Sequence, residues 1–144
     1  MDKQCFDKVV KECMAAYGFK HKRSTYYLEK DNLLAMVAVQ KSYYSDNYYI
    51  NYGFRVKDIH EDEAVYALNK DSHVSGRFSY YGPSGEKYDF ELAQINDTEL
   101  KASIERGIEE IILPVINNGI ATFFSLFPKA KCAAKIKLKD YLGF

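Results

Sequence analysis

The chain predicts an α+β domain: an antiparallel β-meander of about five strands, packed by an N-terminal helix and a long Pro-broken C-terminal helix. Three observations predict it. Apolar residues recur at helical spacing near both ends, through Phe6, Val9, Val10, Cys13, Met14 and Tyr17, and again through Leu100, Ile104, Ile108, Ile111, Ile112 and Val115. Between these runs the period changes to two. In residues 33–56, Tyr48, Ile50, Tyr52, Phe54 and Val56 alternate with Tyr49, Asn51, Gly53 and Arg55, which is the pattern of a half-buried strand. Short connections join strand to strand across most of the centre, and that favours a meander over crossovers.

The elements follow in order. Asp2 reads as an N-cap and Gly18 as the stop of the first helix, which carries Lys3, Asp7, Lys8, Lys11 and Glu12 outside its apolar stripe. A basic run, Lys20-His21-Lys22-Arg23, precedes a first strand at residues 24–30, and Asp31-Asn32 makes a tight turn. The second strand, residues 33–42, is apolar on both sides until it ends in Gln40-Lys41-Ser42, so it is expected to be central and covered on both faces. A Tyr-rich loop leads to a third strand at residues 48–56. Residues 57–71 fit a short helix or an irregular excursion. A fourth strand is expected over residues 73–81, a turn at Gly82-Pro83-Ser84-Gly85, and a short fifth strand through Tyr88, Phe90 and Leu92.

Asn96 followed by Glu99 resembles a capping box at the start of the late helix. Gly107 lies on the apolar face of that helix, where glycine lowers helix propensity by about 1 kcal/mol and is usually compensated by close approach of another element. Pro114 removes an amide donor and is expected to kink or divide the helix. A second stripe, Ile116, Ile120, Phe123, Phe124 and Phe127, runs up to Pro128. The Lys-rich tail, residues 129–144, fits an edge strand, a terminal helix or a partly ordered end. No repeat, low-complexity segment or linker divides the chain, so residues 1–144 are expected to form one domain.

Composition sets the outer bounds. A chain of 144 residues with 47% apolar and 28% charged residues can bury a core without metal or disulfides. Lys plus Arg equals Asp plus Glu, so double-stranded nucleic acid is not an expected partner. The N-terminus has no apolar signal-peptide core, and no run of about 18 apolar residues exists, so neither secretion nor a membrane span is expected. Cys5, Cys13 and Cys132 then read as free thiols in a reducing cytoplasm. His21, His60 and His73 share no ligand spacing with them, and no metal or cofactor is expected.

Catalytic patterns are absent: the sequence holds no GxSxG, HExxH, Walker loop or GxGxxG. Asp58, His60, Glu61, Asp62 and Glu63 form an acidic cluster that fits a solvated loop better than a metal site. Two constellations remain. The chain has 13 tyrosines, 11 of them from Tyr26 to Tyr88; Tyr43, Tyr44 and Tyr49 fall in the loop or on the polar side of a strand, where they suit partner contact. The ordinary alternative is β-propensity and sheet packing. Base stacking on such tyrosines would suit single-stranded nucleic acid, but the third strand lacks the basic-glycine-aromatic pattern that usually accompanies it, and zero net charge also counts against it. If the strands pair in order, Gln40, Ser42, Asn51, Arg55, Ser75 and Arg77 share one sheet face, where an arginine amid amides can hold a carboxylate or phosphate. The ordinary alternative is a covered face with internal ion pairs, and Asp89 and Glu91 are placed to neutralise the arginines. Gln40, Lys41, Ser42, Tyr43, Tyr44, Tyr49, Asn51, Arg55 and Arg77 are therefore the candidate residues for a protein partner or a small anionic ligand.

Taken in order, FDKVVKECMAAYGFKHKRSTYYLE, VAVQKS, INYGFRV, HVSGRFSY and DTELKASIERGIEEIILPVI resemble the bacterial family called domain of unknown function 4304. The strand ending in Gln40-Lys41-Ser42 is the most distinctive piece, and the resemblance runs over roughly residues 6–127, leaving the Lys-rich tail outside. It implies an antiparallel sheet with flanking helices and supplies no chemistry. Small α+β domains of this kind also look like immunity proteins of bacterial toxin systems, by analogy of fold alone. The expected function is a non-enzymatic protein-interaction module, with a small-ligand domain as the alternative.

Overall fold

The Asp2 carboxylate accepts the Cys5 amide at 2.8 Å and starts α1 (Lys3–Ala16), which buries Phe6, Val10, Cys13 and Met14 as its spacing predicts. Gly18 ends it with φ at 83°. The computed structural model describes residues 1–59, 62–83 and 85–144. In it β1 (Lys20–Lys22), β2 (Thr25–Lys30), β3 (Leu33–Lys41), β4 (Asn47–Val56) and β5 (Val74–Arg77) lie side by side in sequence order, every pair antiparallel. The α+β meander is as expected. The basic run supplies an additional short edge strand, β1.

The registers place Tyr48, Ile50, Tyr52, Phe54 and Val56 beside Val39, Val37, Ala35 and Leu33 on one face. That inner face meets the helices, and its β4 residues are all buried in the main core with Phe6, Phe78, Phe90, Ile104, Ile108 and Phe123. β3 is covered on both faces, as its apolar run predicts: Leu34 and Met36 on the outer side are buried with Leu68 in a second, smaller cluster. Residues 62–71, ending in α2 (Leu68–Asp71), form the cover over that outer side. Over its described residues, 57–59 and 62–71, the 57–71 segment is an irregular excursion with one short helical turn. His60, Glu61 and Ser84 lie outside the described residues.

The expected fourth strand divides. After β5 the chain turns at Phe78, which plunges into the core; a Cβ at Gly107 would sit 2.5 Å from its ring, so the glycine permits this approach. Beyond it β6 (Tyr80–Gly82) pairs with β7 (Gly85–Lys87) in a separate hairpin. The Tyr80 hydroxyl donates to Glu99 at 2.5 Å, tying this hairpin to the late helix instead of the sheet. β8 (Phe90–Glu91) returns to pair with Asn47 and Tyr48, in line with β5 along the same edge of β4.

Asn96 caps α3 (Asp97–Gly107) by accepting the Glu99 amide at 2.9 Å. A π-helical turn, Ile108–Ile112, follows, with the Leu113 amide reaching back to Ile108, and then α4 (Leu113–Asn118). Pro114 neither stops nor divides the helix where expected. The wider turn before it relieves the crowding its ring would cause. The break comes at Gly119, with φ at 104°, before α5 (Ala121–Leu126). The tail is ordered as a 3₁₀ turn, Pro128–Ala133, and α6 (Ile136–Leu142). Leu138 is fully buried, and the Lys135 amide donates to the His73 carbonyl at 3.0 Å. Among the described residues no helix is long and apolar enough to cross a membrane.

Candidate functional site

The outer sheet face has two ends, and the candidate residues divide between them. At one end Gln40, Tyr49, Asn51 and Arg77 come together, because Gln40 stands opposite Tyr49 and Asn51 opposite Arg77 in the register. The Asn51 amide donates to Gln40 Oε1 at 2.8 Å, and Arg77 Nε donates to Asn51 Oδ1 at 3.1 Å. The Arg77 guanidinium lies 4.0 Å from the Tyr49 ring centre, a cation–π contact. Asn51 thus uses both ends of its amide and fixes the two neighbours at once. The result is a flat, half-exposed polar platform with a stacked arginine that makes no ion pair among the described residues.

Next to it the β3–β4 loop carries Tyr43 and Tyr44, which are 92% and 97% exposed. The loop base is held: the Ser42 amide donates to the Asn47 carbonyl at 2.9 Å, and Ser42 Oγ accepts the Tyr44 amide at 3.3 Å. Ser42 is buried and closes the turn, so its role is local. Lys41 is exposed and lies 3.8 Å from Asp46 across the loop, a solvated pair of little energetic weight.

Arg55 lies at the other end and is only 7% exposed. Its guanidinium donates to the Asp62 carbonyl at 2.6 Å and the Asp71 carbonyl at 3.3 Å, and lies 3.6 Å from the Asp71 carboxylate. Asp71 in turn accepts the amides of Val65 and Ala67 at 2.9 and 3.1 Å. This is a staple that fastens the cover to the sheet. Gly53 is part of it, since a Cβ there would collide with the Ser72 side chain. Glu29 at the rim accepts from Lys57 at 2.5 Å and from the Tyr66 hydroxyl at 2.9 Å. The Lys57 bond, followed by the Tyr66 bond and despite partial burial, holds the Glu29 carboxyl below the ordinary carboxylate range.

The expected single polar face is therefore not one cleft. Arg55 lines a charged cavity of about 570 Å³ with Lys70, Lys135 and Lys137 against Asp62, Glu63 and Asp71. Arg77 borders a different one. The neutralisation expected from Asp89 and Glu91 also takes another form. Asp89 accepts from Asn47 at 2.7 Å and Glu91 from Lys87 at 2.8 Å, because β8 pairs with the start of β4, away from both arginines. Among the described residues no group of His, Cys, Asp and Glu is arranged to hold a metal ion. His60 and Glu61 of the acidic cluster lie outside them.

One feature escapes the sequence patterns. A mostly apolar groove of about 990 Å³ runs beside β5, walled by α3 and its π turn, by α5 and the 3₁₀ turn, and by the β6–β7 hairpin. Tyr52 and Phe123 form its floor, and Tyr81, Tyr88, Leu126 and Phe127 stand partly exposed around it. Burial pushes the Tyr52 hydroxyl well above its ordinary pKa, so it remains a neutral donor. Leu126 falls outside the helical stripe, and that break in pattern is the only signal the sequence offered.

These features define a small α+β domain whose antiparallel meander is packed by helices on one face and partly bare on the other. The family model described as Domain of unknown function (DUF4304) matches residues 10–118, and the chain belongs to that family. No curated protein and no solved structure matches the chain. The match includes the platform and the staple and stops before α5, so one wall of the groove lies beyond it.

Proposed function

We propose that this protein is a non-enzymatic protein-interaction module of the bacterial cytoplasm, with immunity-protein-like partner capture as its mode of action. The observation that carries this reading is the pair Tyr43 and Tyr44, exposed side by side beside a hydrogen-bonded platform that includes Tyr49 and Arg77. Large apolar rings held in water on a fixed loop gain free energy when a partner covers them, and Tyr and Arg are the side chains that dominate such contacts. Three free thiols support the reducing compartment. The alternative, a small anionic ligand on the polar sheet face, has less support. Arg55 is engaged by the cover, while Gln40 and Asn51 are bonded to each other and line neither cavity.

Affinity capture from the native cell lysate tests the reading, with wild type and Tyr43→Ala/Tyr44→Ala as baits. The double variant is expected to lose the wild-type partner while its stability changes by no more than about 0.5 kcal/mol. Equal capture by both baits sinks the proposal. A toxin gene beside this gene would favour the immunity form of it.

A further inference from the structure

The groove beside β5 is bordered by three consecutive residues, Ser75, Gly76 and Arg77. Successive side chains of a strand point to opposite faces, so no single face can present all three. What borders the groove is the strand's edge. β5 is last in the sheet order, and the Phe78 amide donates to Ile50 at 2.8 Å. Bonded positions alternate along an antiparallel ladder, so Gly76 also faces β4, while the backbone groups of Ser75 and Arg77 point outward. Among the described residues neither of these two makes a backbone bond outside the sheet ladder. Tyr52, only 3% exposed, borders the same groove, and its hydroxyl has no hydrogen-bond partner among the described residues. A Cβ at Gly76 would lie 2.3 Å from that hydroxyl, so it sits directly against the open edge.

We propose that this edge is a docking site for an extended peptide segment of a partner protein, which adds to β5 as a further strand. The occupant has apolar side chains at alternate positions, received by Leu126, Phe127 and Tyr88, and an acidic residue facing Lys129, which makes no ion pair among the described residues, whereas Arg106 lies over Tyr81 and shares the rim with Glu86 and Glu110. The outward backbone groups of Ser75 and Arg77 supply the ladder, and the Tyr52 hydroxyl supplies one further donor. The inference rests on the reading as an interaction module and specifies the partner's form at a surface separate from Tyr43 and Tyr44.

The test pans a phage library of random decapeptides on the full chain. The enriched sequence is synthesised plain and with N-methyl groups on alternate amides, in both registers. Enriched sequences should alternate apolar residues and carry Asp or Glu. Saturation with the plain peptide should slow amide exchange at Ser75 and Arg77 by at least ~10-fold, and one N-methyl register should bind at least ~10-fold more weakly. Ser75→Pro should fold, because its outward amide takes no part in the existing ladder, and should lose the peptide. If it does not fold, Leu126→Asp replaces it with the same expected loss. Three results each overturn the proposal: no enriched sequence, equal binding of both N-methylated forms, or unchanged exchange at the two amides. So does decanoate filling the groove in place of peptide, or a second copy of the chain covering the edge in sedimentation. Tyr43→Ala/Tyr44→Ala should bind the peptide as wild type does. A groove that selects no peptide therefore leaves the tyrosine reading standing, and unaltered lysate capture by the tyrosine variant leaves the groove standing.

Discussion

Arg55 and Arg77 face the same side of the same sheet on neighbouring strands, yet one is part of the interior and the other part of the surface. Arg55 is held by two carbonyls and a carboxylate under the cover of residues 62–71. Arg77 lies flat on Tyr49 with a single amide partner in water. Alternation within β4 assigns the polar side chains to one face. It does not say whether that face is wet. A segment that folds back from outside the strand decides this, and it leaves one end of the outer face structural and the other end free for recognition.

The largest expected effect follows from that division. Arg55→Ala leaves Asp71 charged in a buried place and removes donors from two carbonyls, and should cost about 3–5 kcal/mol in urea unfolding. Arg77→Ala, which removes a half-exposed stack, should cost less than about 1 kcal/mol. Similar losses for the two variants would break the distinction between the ends.

The sequence made the fold class, the inner face of β4 and the double burial of β3 legible, because each rests on apolar periodicity. Gly107 was legible for the same reason, as a gap in a helical stripe that Phe78 fills. The π turn was not, since Ile108, Ile111 and Ile112 fit an α-helical period well enough to hide one wider turn. The division of the fourth strand was hidden because Val74, Gly76, Phe78 and Tyr80 alternate without interruption; only the depth of Phe78 and the bond from Tyr80 to Glu99 redirect the chain. Of the candidate residues, Gln40, Tyr49, Asn51 and Arg77 do form one cluster. Arg55 and Ser42 looked the same in sequence and serve the cover and the turn. The groove was least legible, because its walls come from segments distant in sequence.

A second test sharpens the comparison by loosening the cover without touching charge. Leu68 anchors α2 on Leu34 and Met36. Leu68→Ala should destabilise by about 2–3 kcal/mol, at the low end of the range for buried leucines because the single-turn cover over Leu34 and Met36 can relax. Amide exchange should quicken at Val65 and Ala67, whose bonds to Asp71 hold the cover, while the Asn51–Arg77 end stays as in wild type. Equal quickening at both ends would mean that the outer face opens as one unit.

The smallest effect concerns pH, and it also belongs to the covered end. Glu29 joins β2 to the cover through Tyr66 and to the end of β4 through Lys57. Its carboxyl is held below the ordinary range, chiefly by the Lys57 bond, so the folded state favours the ionised form. A depressed carboxylate pKa contributes stability that is complete above the unfolded value, about 4.3, and fades as pH falls through the lower folded value. Half-exposure and solvent screening keep this contribution below about 1 kcal/mol. Glu29→Gln should therefore lower stability slightly at pH 7 and converge on wild type as the pH falls through the lowered folded value, as read from urea midpoints across that range. If the difference persists undiminished in acid, Glu29 acts through packing and not through charge.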